Sequence, residues 1–398
     1  MKNINEKIRN LVAHAYENAP AVKQRFDEAG ITSDDIQTVA DLSKIPVMNK
    51  DELIAMHQQN PPFGGFLTIN PDDLPRIYIS PGPIFDPQPP SEDIESGLAP
   101  FKYVGFGRGD RVLNTFMYHL TPAGMLLDEG LQACGATVLP TGPGNTDLQI
   151  MMALKLGVTG FVGQPSYLMT ILDKIEEQGI SPDTFTIKKA LFSAEPYTPS
   201  QKARFENEWG MTTTSAYGTA DLGFLGFTVN YADGFVLTDA NYVQIVDPET
   251  GQDVAVGEIG EIVVTTFNKA YPMIRFGTGD LGAIGAELLD GHQHLLGLYG
   301  RSGDAIKVRG MFLHPNQLKM AAAQFPNIEK IQAVITRPEN KDVIVLRVQL
   351  KADADNSGIA DKLKELARQA VRLRIDDVVF VDDMGENERT VKDERQWD

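Results

Sequence analysis

Three short apolar runs decide the fold: Arg111-Val112-Leu113-Asn114, Ala136-Thr137-Val138-Leu139-Pro140, and residues 158–162. Helical spacing fills the gaps between them, through residues 126–132 and 150–156. Such alternation is β-α-β-α-β, which forms a parallel sheet covered by helices, with ligands at the carboxyl ends of the strands. Working outward, Lys188-Lys189-Ala190-Leu191-Phe192-Ser193 reads as a further strand. Thr198-Pro199-Ser200-Gln201 then caps a helix, with Pro at its first position and Gln at its third. The loop Ala194-Glu195-Pro196-Tyr197 therefore lies in ligand position.

Upstream, Ile8, Leu11, Val12 and Ala15 or Tyr16 fall at helical spacing, so the N-terminus is helical. Downstream, residues 234–266 alternate in the β manner around the turn Asp247-Pro248-Glu249-Thr250-Gly251, which predicts antiparallel sheet and a small barrel-like subdomain. Beyond Gly310 the pattern is helix, strands over 333–336 and 343–350, a helix with Ile359, Leu363, Leu366 and Ala370 on one face, and a strand over 377–381. The fold class is therefore α/β. A large multi-subdomain domain, with parallel sheets, helices and a small β-barrel, spans residues 1–302, and a small mobile α+β domain spans 303–398. The Gly-rich residues 298–303 are the candidate linker.

At 398 residues the chain exceeds the size of one core. Its 42% hydrophobic and 23% charged residues are ordinary globular composition. The net charge of −18 opposes nucleic acid and anionic membrane as partners. No apolar run approaches the ~20 residues of a membrane span, and Met1-Lys2-Asn3-Ile4 begins no signal peptide, so the expected location is cytoplasmic. Cys134 is the single cysteine, which excludes an internal disulfide and paired-cysteine zinc sites. His292-Gln293-His294 follows an Asp-Gly turn and reads as a hairpin edge.

Four ordered stretches carry a family likeness: Ser193-Ala194-Glu195-Pro196 followed by Ala216-Tyr217-Gly218-Thr219-Ala220-Asp221; Arg275-Phe276-Gly277-Thr278-Gly279-Asp280; Gly300-Arg301-Ser302-Gly303-Asp304; and Arg389-Thr390-Val391-Lys392. Together they resemble the adenylate-forming acyl-CoA synthetase (AMP-binding) superfamily. Over essentially the whole chain the sequence is similar to the phenylacetate-CoA ligases. The resemblance implies ATP-dependent activation of a carboxylic acid, aryl and phenylacetate-like, to an acyl-adenylate, and transfer to coenzyme A. It implies ATP/AMP, Mg²⁺ and coenzyme A as cofactors, a small-molecule carboxylic acid as partner, and a homodimer.

By the same resemblance Asp280 accepts hydrogen bonds from the ribose hydroxyls, a role that suits a double acceptor, and Arg301 is its cationic partner. Ser193, Ala194, Glu195 and Pro196, with Tyr217 and Gly218, wall the adenine pocket, with the Tyr217 ring stacking on the base. Asp221 stands where the family has a Mg²⁺-holding glutamate. Tyr118 matches a tyrosine of the aryl pocket. Lys392 is the tail lysine that bridges carboxylate and α-phosphate during adenylation.

The pattern breaks at the phosphate loop, where the family has a Ser/Thr/Gly-rich run ending in Gly-Lys-Pro. Here it reads Ser80-Pro81-Gly82-Pro83-Ile84-Phe85-Asp86-Pro87. Two prolines remove amide donors, and a carboxylate replaces the lysine. Asp86 would repel a triphosphate. The alternative to a ligase is thus a non-catalytic or partial-reaction relative that binds a nucleotide or acyl-CoA and has lost triphosphate chemistry. Gly303 replaces the family's acidic hinge residue.

Overall fold

The computed structural model describes residues 3–80, 84–89, 95–248, 250–301, 306–309, 311–313, 315–352, 354, 356, 358–371, 373–385 and 388–396. Two compact units partition the chain, Met1–Ser302 and Gly303–Asp398.

In the larger unit a hairpin of β1 (Arg76–Ser80) and β2 (Ile84–Gln88) precedes the main sheet. The main sheet begins with β3 (Arg111–Asn114), β4 (Thr137–Pro140), β5 (Gly160–Gly163), β6 (Lys189–Phe192) and β7 (Thr212–Thr219). These five pair in parallel, in the order β7-β6-β5-β3-β4. Their side chains alternate across the sheet. Leu113, Phe161, Ala190 and Phe192 pack with Ile150, Leu168 and Ile171 of the helices Thr146–Leu156 and Pro165–Glu177. Val112, Val162 and Leu191 pack on the other side with Leu127 and Leu131 of Ala123–Ala133. Burial on both faces explains why these strands are continuous apolar runs in the sequence.

Six antiparallel strands extend the same sheet: β8 (Gly223–Val229), β9 (Ala232–Leu237), β10 (Asn241–Val246), β11 (Gly260–Thr266), β12 (Phe276–Ile284) and β13 (His294–Arg301). The eleven described strands run β10-β11-β12-β13-β9-β8-β7-β6-β5-β3-β4. Among the described residues the strands of the expected barrel-like subdomain are continuous with the parallel sheet through β7 and β8, and β10 ends the sheet beside β11, with one bridge from Val246 to Asp253. The division between the units, at Ser302 and Gly303, falls within the expected linker stretch, residues 298–303. Residues 298–301 complete β13, with Arg301 opposite Asp280 in the ladder, so glycines there mark irregular register rather than a free connection. Ser302, Gly303 and Asp304 lie outside the described residues, as do Pro81, Gly82 and Pro83.

The smaller unit has its own core. A hairpin of β14 (Ile306–Val308) and β15 (Met311–Leu313) precedes a four-stranded sheet of β16 (Ile328–Thr336), β17 (Val343–Leu350), β18 (Asp377–Val381) and β19 (Val391–Asp393), in the order β18-β17-β16-β19. Leu363 and Ala367 of the helix Ile359–Val371 are buried in that core. No described helix is long and apolar enough to cross a membrane.

Candidate active site

The strand order reverses around β3, whose neighbours β4 and β5 lie on opposite sides of it. In a parallel sheet this opens a crevice at the carboxyl edge. Chain segments leaving β3, β5 and β6 all emerge there, carrying Tyr118, Gln164 and Ser193 to Pro196. Ser193 Oγ donates to the Ala216 carbonyl on β7 at 2.9 Å, tying the loop to the strand that bears Tyr217. Ala194 has φ +78, a left-handed conformation that costs a non-glycine residue about 1–2 kcal/mol. Glu195 Oε1 accepts the Ser166 amide at 2.6 Å and anchors the loop to the helix Pro165–Glu177.

Tyr217, Asp280 and Arg301 meet directly. The Tyr217 hydroxyl donates to Asp280 Oδ2 at 2.8 Å, and Arg301 Nε lies 3.6 Å from Asp280 Oδ1. Arg301 also donates to the Thr278 carbonyl at 3.3 Å. The Thr278-Gly279-Asp280 segment is fixed from below. Glu261 Oε1 accepts the Gly279 amide at 3.0 Å, and Thr278 Oγ1 accepts the Asp280 amide at 3.1 Å. The Tyr217 ring is only 8% exposed and packs at 5.9 Å from the Phe235 ring. It thus has a core contact as well as a polar one, beyond the stacking role expected from the sequence. Gly218 is required by close approach, since a Cβ there would stand 2.5 Å from the Gly223 carbonyl oxygen.

Tyr118 is held by its hydroxyl, which donates to Asp128 Oδ2 and accepts from Asn114 Nδ2, both at 2.7 Å. Burial and the Asp128 carboxylate raise the phenol far above its ordinary range, so it remains a neutral donor.

A second polar cluster surrounds Asp221. Its Oδ2 takes an ion pair from Lys50 Nζ at 3.1 Å, while its Oδ1 is buried with no hydrogen-bond partner among the described residues. Asp86 is 8% exposed and its Oδ2 likewise has none. Burial raises the Asp86 carboxyl well above the usual carboxylate range, Asp221 adds to the shift, and Lys50 opposes it. Nearby, His57 Nε2 and the Tyr271 hydroxyl are 2.8 Å apart.

In the smaller unit Lys392 lies on β19 with Nζ 2.8 Å from Glu394 Oε1, an exposed pair that keeps the ammonium protonated. Arg395 is more firmly held, by Asp393 at 2.7 Å and Asp342 at 3.3 Å. Asp398 lies outside the described residues.

Known proteins place this arrangement. A family model described as AMP-binding enzyme matches residues 102–269. Phenylacetate-coenzyme A ligase of Aromatoleum evansii is 29% identical over 377 residues, covering 92% of this chain and 84% of that protein. The enzyme of the same name from Escherichia coli K12 is 28% identical over 360 residues, covering 87% and 81%. The chain is phenylacetate-CoA ligase-like along most of its length, and residues 102–269 match the AMP-binding family. A crystal structure of 2-hydroxyisobutyryl-CoA ligase, in complex with 2-HIB-AMP and CoA, shares the fold of this phenylacetate-CoA ligase-like protein. Its TM-score is 0.91 at 22% identity, over 99% of this chain and 90% of that one. The amide bond synthetase McbA of Marinactinospora thermotolerans shares it more loosely, with a TM-score of 0.63 at 17% identity, over 81% and 68%.

Several partners in this phenylacetate-CoA ligase-like site have no sequence signal: Lys50 is 171 positions from Asp221, and Glu261 is 18 from Gly279. His57 yields a pH prediction. Burial holds its imidazole down at about 4, against the charge of Asp221. The unfolded chain therefore takes up a proton, near pH 6.5, that the folded chain resists until about pH 4. Stability from this group is present above pH 6.5 and is lost as pH falls toward 4. Urea unfolding at pH 7 and pH 5 should show the wild type losing more stability than His57→Gln, and an equal loss in both would refute the assignment.

Proposed function

We propose that this protein activates a carboxylic acid, aryl and phenylacetate-like, with ATP to an acyl-adenylate, and passes the acyl group to coenzyme A. The observation that carries this reading is likeness across about nine-tenths of the chain to enzymes named phenylacetate-coenzyme A ligase. The substrate carboxylate oxygen attacks the α-phosphorus and pyrophosphate leaves. The coenzyme A thiolate then attacks the acyl carbonyl and AMP leaves.

In this reading Asp280 accepts the ribose hydroxyls, with Tyr217 and Arg301 fixing its orientation. Backbone groups of Ser193, Ala194, Glu195, Pro196 and Gly218 line the base, and the locked Tyr118 walls the acyl group. Asp221 Oδ1, buried and without a hydrogen-bond partner, fits a divalent ion ligand. Bound Mg²⁺ would neutralise phosphate charge. Lys392 stabilises charge at the α-phosphate, and its exposed pair with Glu394 is weak enough to exchange for it.

A second reading follows from the inward, buried Asp86: a partial reaction that starts from AMP or an acyl-adenylate. Pyrophosphate exchange into ATP with a panel of aryl and short-chain acids decides between them. Exchange dependent on one acid is the expected result. Binding of AMP without Mg-ATP, and no exchange with any acid, would overturn the ligase.

A further inference from the structure

The register of the β1–β2 hairpin settles which way Ser80 and Asp86 face. Tyr78 opposes Asp86 and Ser80 opposes Ile84, and residues directly opposite in an antiparallel pair share a face. All four are buried, while the alternate residues Ile77 and Phe85 are exposed. Asp86 and Ser80 therefore face inward rather than out to solvent, and the helix Lys50–Gln59, whose first residue pairs with Asp221, packs against β2.

Buried oxygens of the hairpin, and of Thr219 and Asp221, are short of partners. Asp86 Oδ2, Asp221 Oδ1, Ser80 Oγ and Thr219 Oγ1 are all buried without a hydrogen bond among the described residues. Ser80 is 2% exposed and Asp86 8%. Lys50 is engaged at the other oxygen of Asp221, at 3.1 Å. Two carboxylates thus share one ammonium, with one oxygen on each left open. Buried oxygens left this way are costly, and native proteins carry few of them. A site that required only packing would be served by Asn or an apolar residue of similar size.

The geometry points to Asp86 and Asp221 as joint ligands of one hard divalent cation of the Mg²⁺ class, so that a bound ion supplies the positive charge that a loop lysine supplies in relatives. The inference deepens the ligase reading and rests on it for its purpose, though not for its test. The donors are carboxylate oxygens, which suit Mg²⁺ or Mn²⁺ over softer metals. Among the described residues no group of three His, Cys, Asp or Glu side chains is gathered to hold a metal. Two carboxylates with water and phosphate oxygens completing the shell is the usual way Mg²⁺ is bound beside a nucleotide. Asp86 then attracts a phosphate through the ion instead of repelling it.

The test is titration of the full-length protein with Mn²⁺ alone, followed by the electron paramagnetic resonance signal of the free ion. The wild type should bind one Mn²⁺ per chain. Asp86→Asn and Asp221→Asn should each weaken that binding by about ten-fold or more, since affinity follows ligand charge. Asp72→Asn, on an exposed turn, should leave it unchanged. Asp86→Asn removes a buried charge and should melt no lower than the wild type, so lost binding cannot be ascribed to unfolding. No Mn²⁺ bound by the wild type, as when the two carboxyls share a proton instead, overturns the proposal, and so does equal binding by Asp86→Asn. Pyrophosphate exchange separates the two levels. A Mn²⁺ site without exchange removes the ligase and keeps the site, and exchange without a Mn²⁺ site does the reverse.

Discussion

Replacing Arg275 by Ala is expected to lower the unfolding free energy by about 3–5 kcal/mol, one of the largest losses available to a single side chain here. Arg275 is 1% exposed and has no carboxylate partner among the described residues. Its guanidinium instead donates to the carbonyls of Leu42 at 3.1 Å, Ile45 at 2.7 Å and Gly251 at 2.5 Å. Its own backbone adopts φ +52, and its carbonyl accepts the Met48 amide at 2.9 Å. Arg25, pushed down to about 10 by burial, works beside it on the carbonyls of Ile274 and Pro46. Truncation would strand two buried carbonyls and a partly buried one, and leave a cavity. Arg275→Lys keeps the charge, but a single ammonium cannot span the three acceptors that a planar fork reaches, so an intermediate loss is expected. Urea unfolding followed by circular dichroism measures both, and a loss under about 1 kcal/mol for Arg275→Ala would rule out this clamp.

Arg275 also shows where a sequence stops being informative. It opens the Arg-Phe-Gly-Thr-Gly-Asp stretch, and adjacency to Asp280 invites a shared role in the site. The chain instead turns between them, sending Arg275 into the core beneath residues 42–48 and Asp280 to Tyr217. Both the parallel half of the sheet and the smaller unit were legible, because burial on defined faces writes itself as apolar runs and helical stripes. The antiparallel half was legible as strands but not as a continuation of the same sheet, since pairing partners leave no local mark. Glycines at residues 298–303 concealed a strand end, because Gly-rich sequence also accompanies irregular ladders. Prolines at 81, 83 and 87 concealed the β1–β2 hairpin, although Pro87 itself sits within β2. At the candidate site, the residue types were legible and their partners were not. Tyr217 could be given a pocket wall from its motif, but its bond to Asp280 spans 63 positions, and only the fold brings the two together.

That bond makes the last prediction quantitative. If Asp280 accepts two ribose hydroxyls, each hydrogen bond to the ionised group contributes about 1.5–3 kcal/mol. Asp280→Ala should then lower kcat/KM for ATP in acid-dependent pyrophosphate exchange by about 10²–10⁴-fold, at roughly 1.4 kcal/mol per decade. Asp280→Asn keeps one acceptor oxygen and should fall between. Tyr217→Phe leaves the carboxylate in place and removes only the neutral donor that orients it, worth about 1 kcal/mol, so its effect should stay within about ten-fold and fall mainly on KM for ATP. The Tyr217 ring would still pack on Phe235, so the fold is preserved. A Tyr217→Phe loss as large as that of Asp280→Ala would mean that the tyrosine touches substrate itself. Near-wild-type exchange by Asp280→Ala would mean that the carboxylate serves Tyr217 and Arg301 in the structure, and that the ribose is held elsewhere.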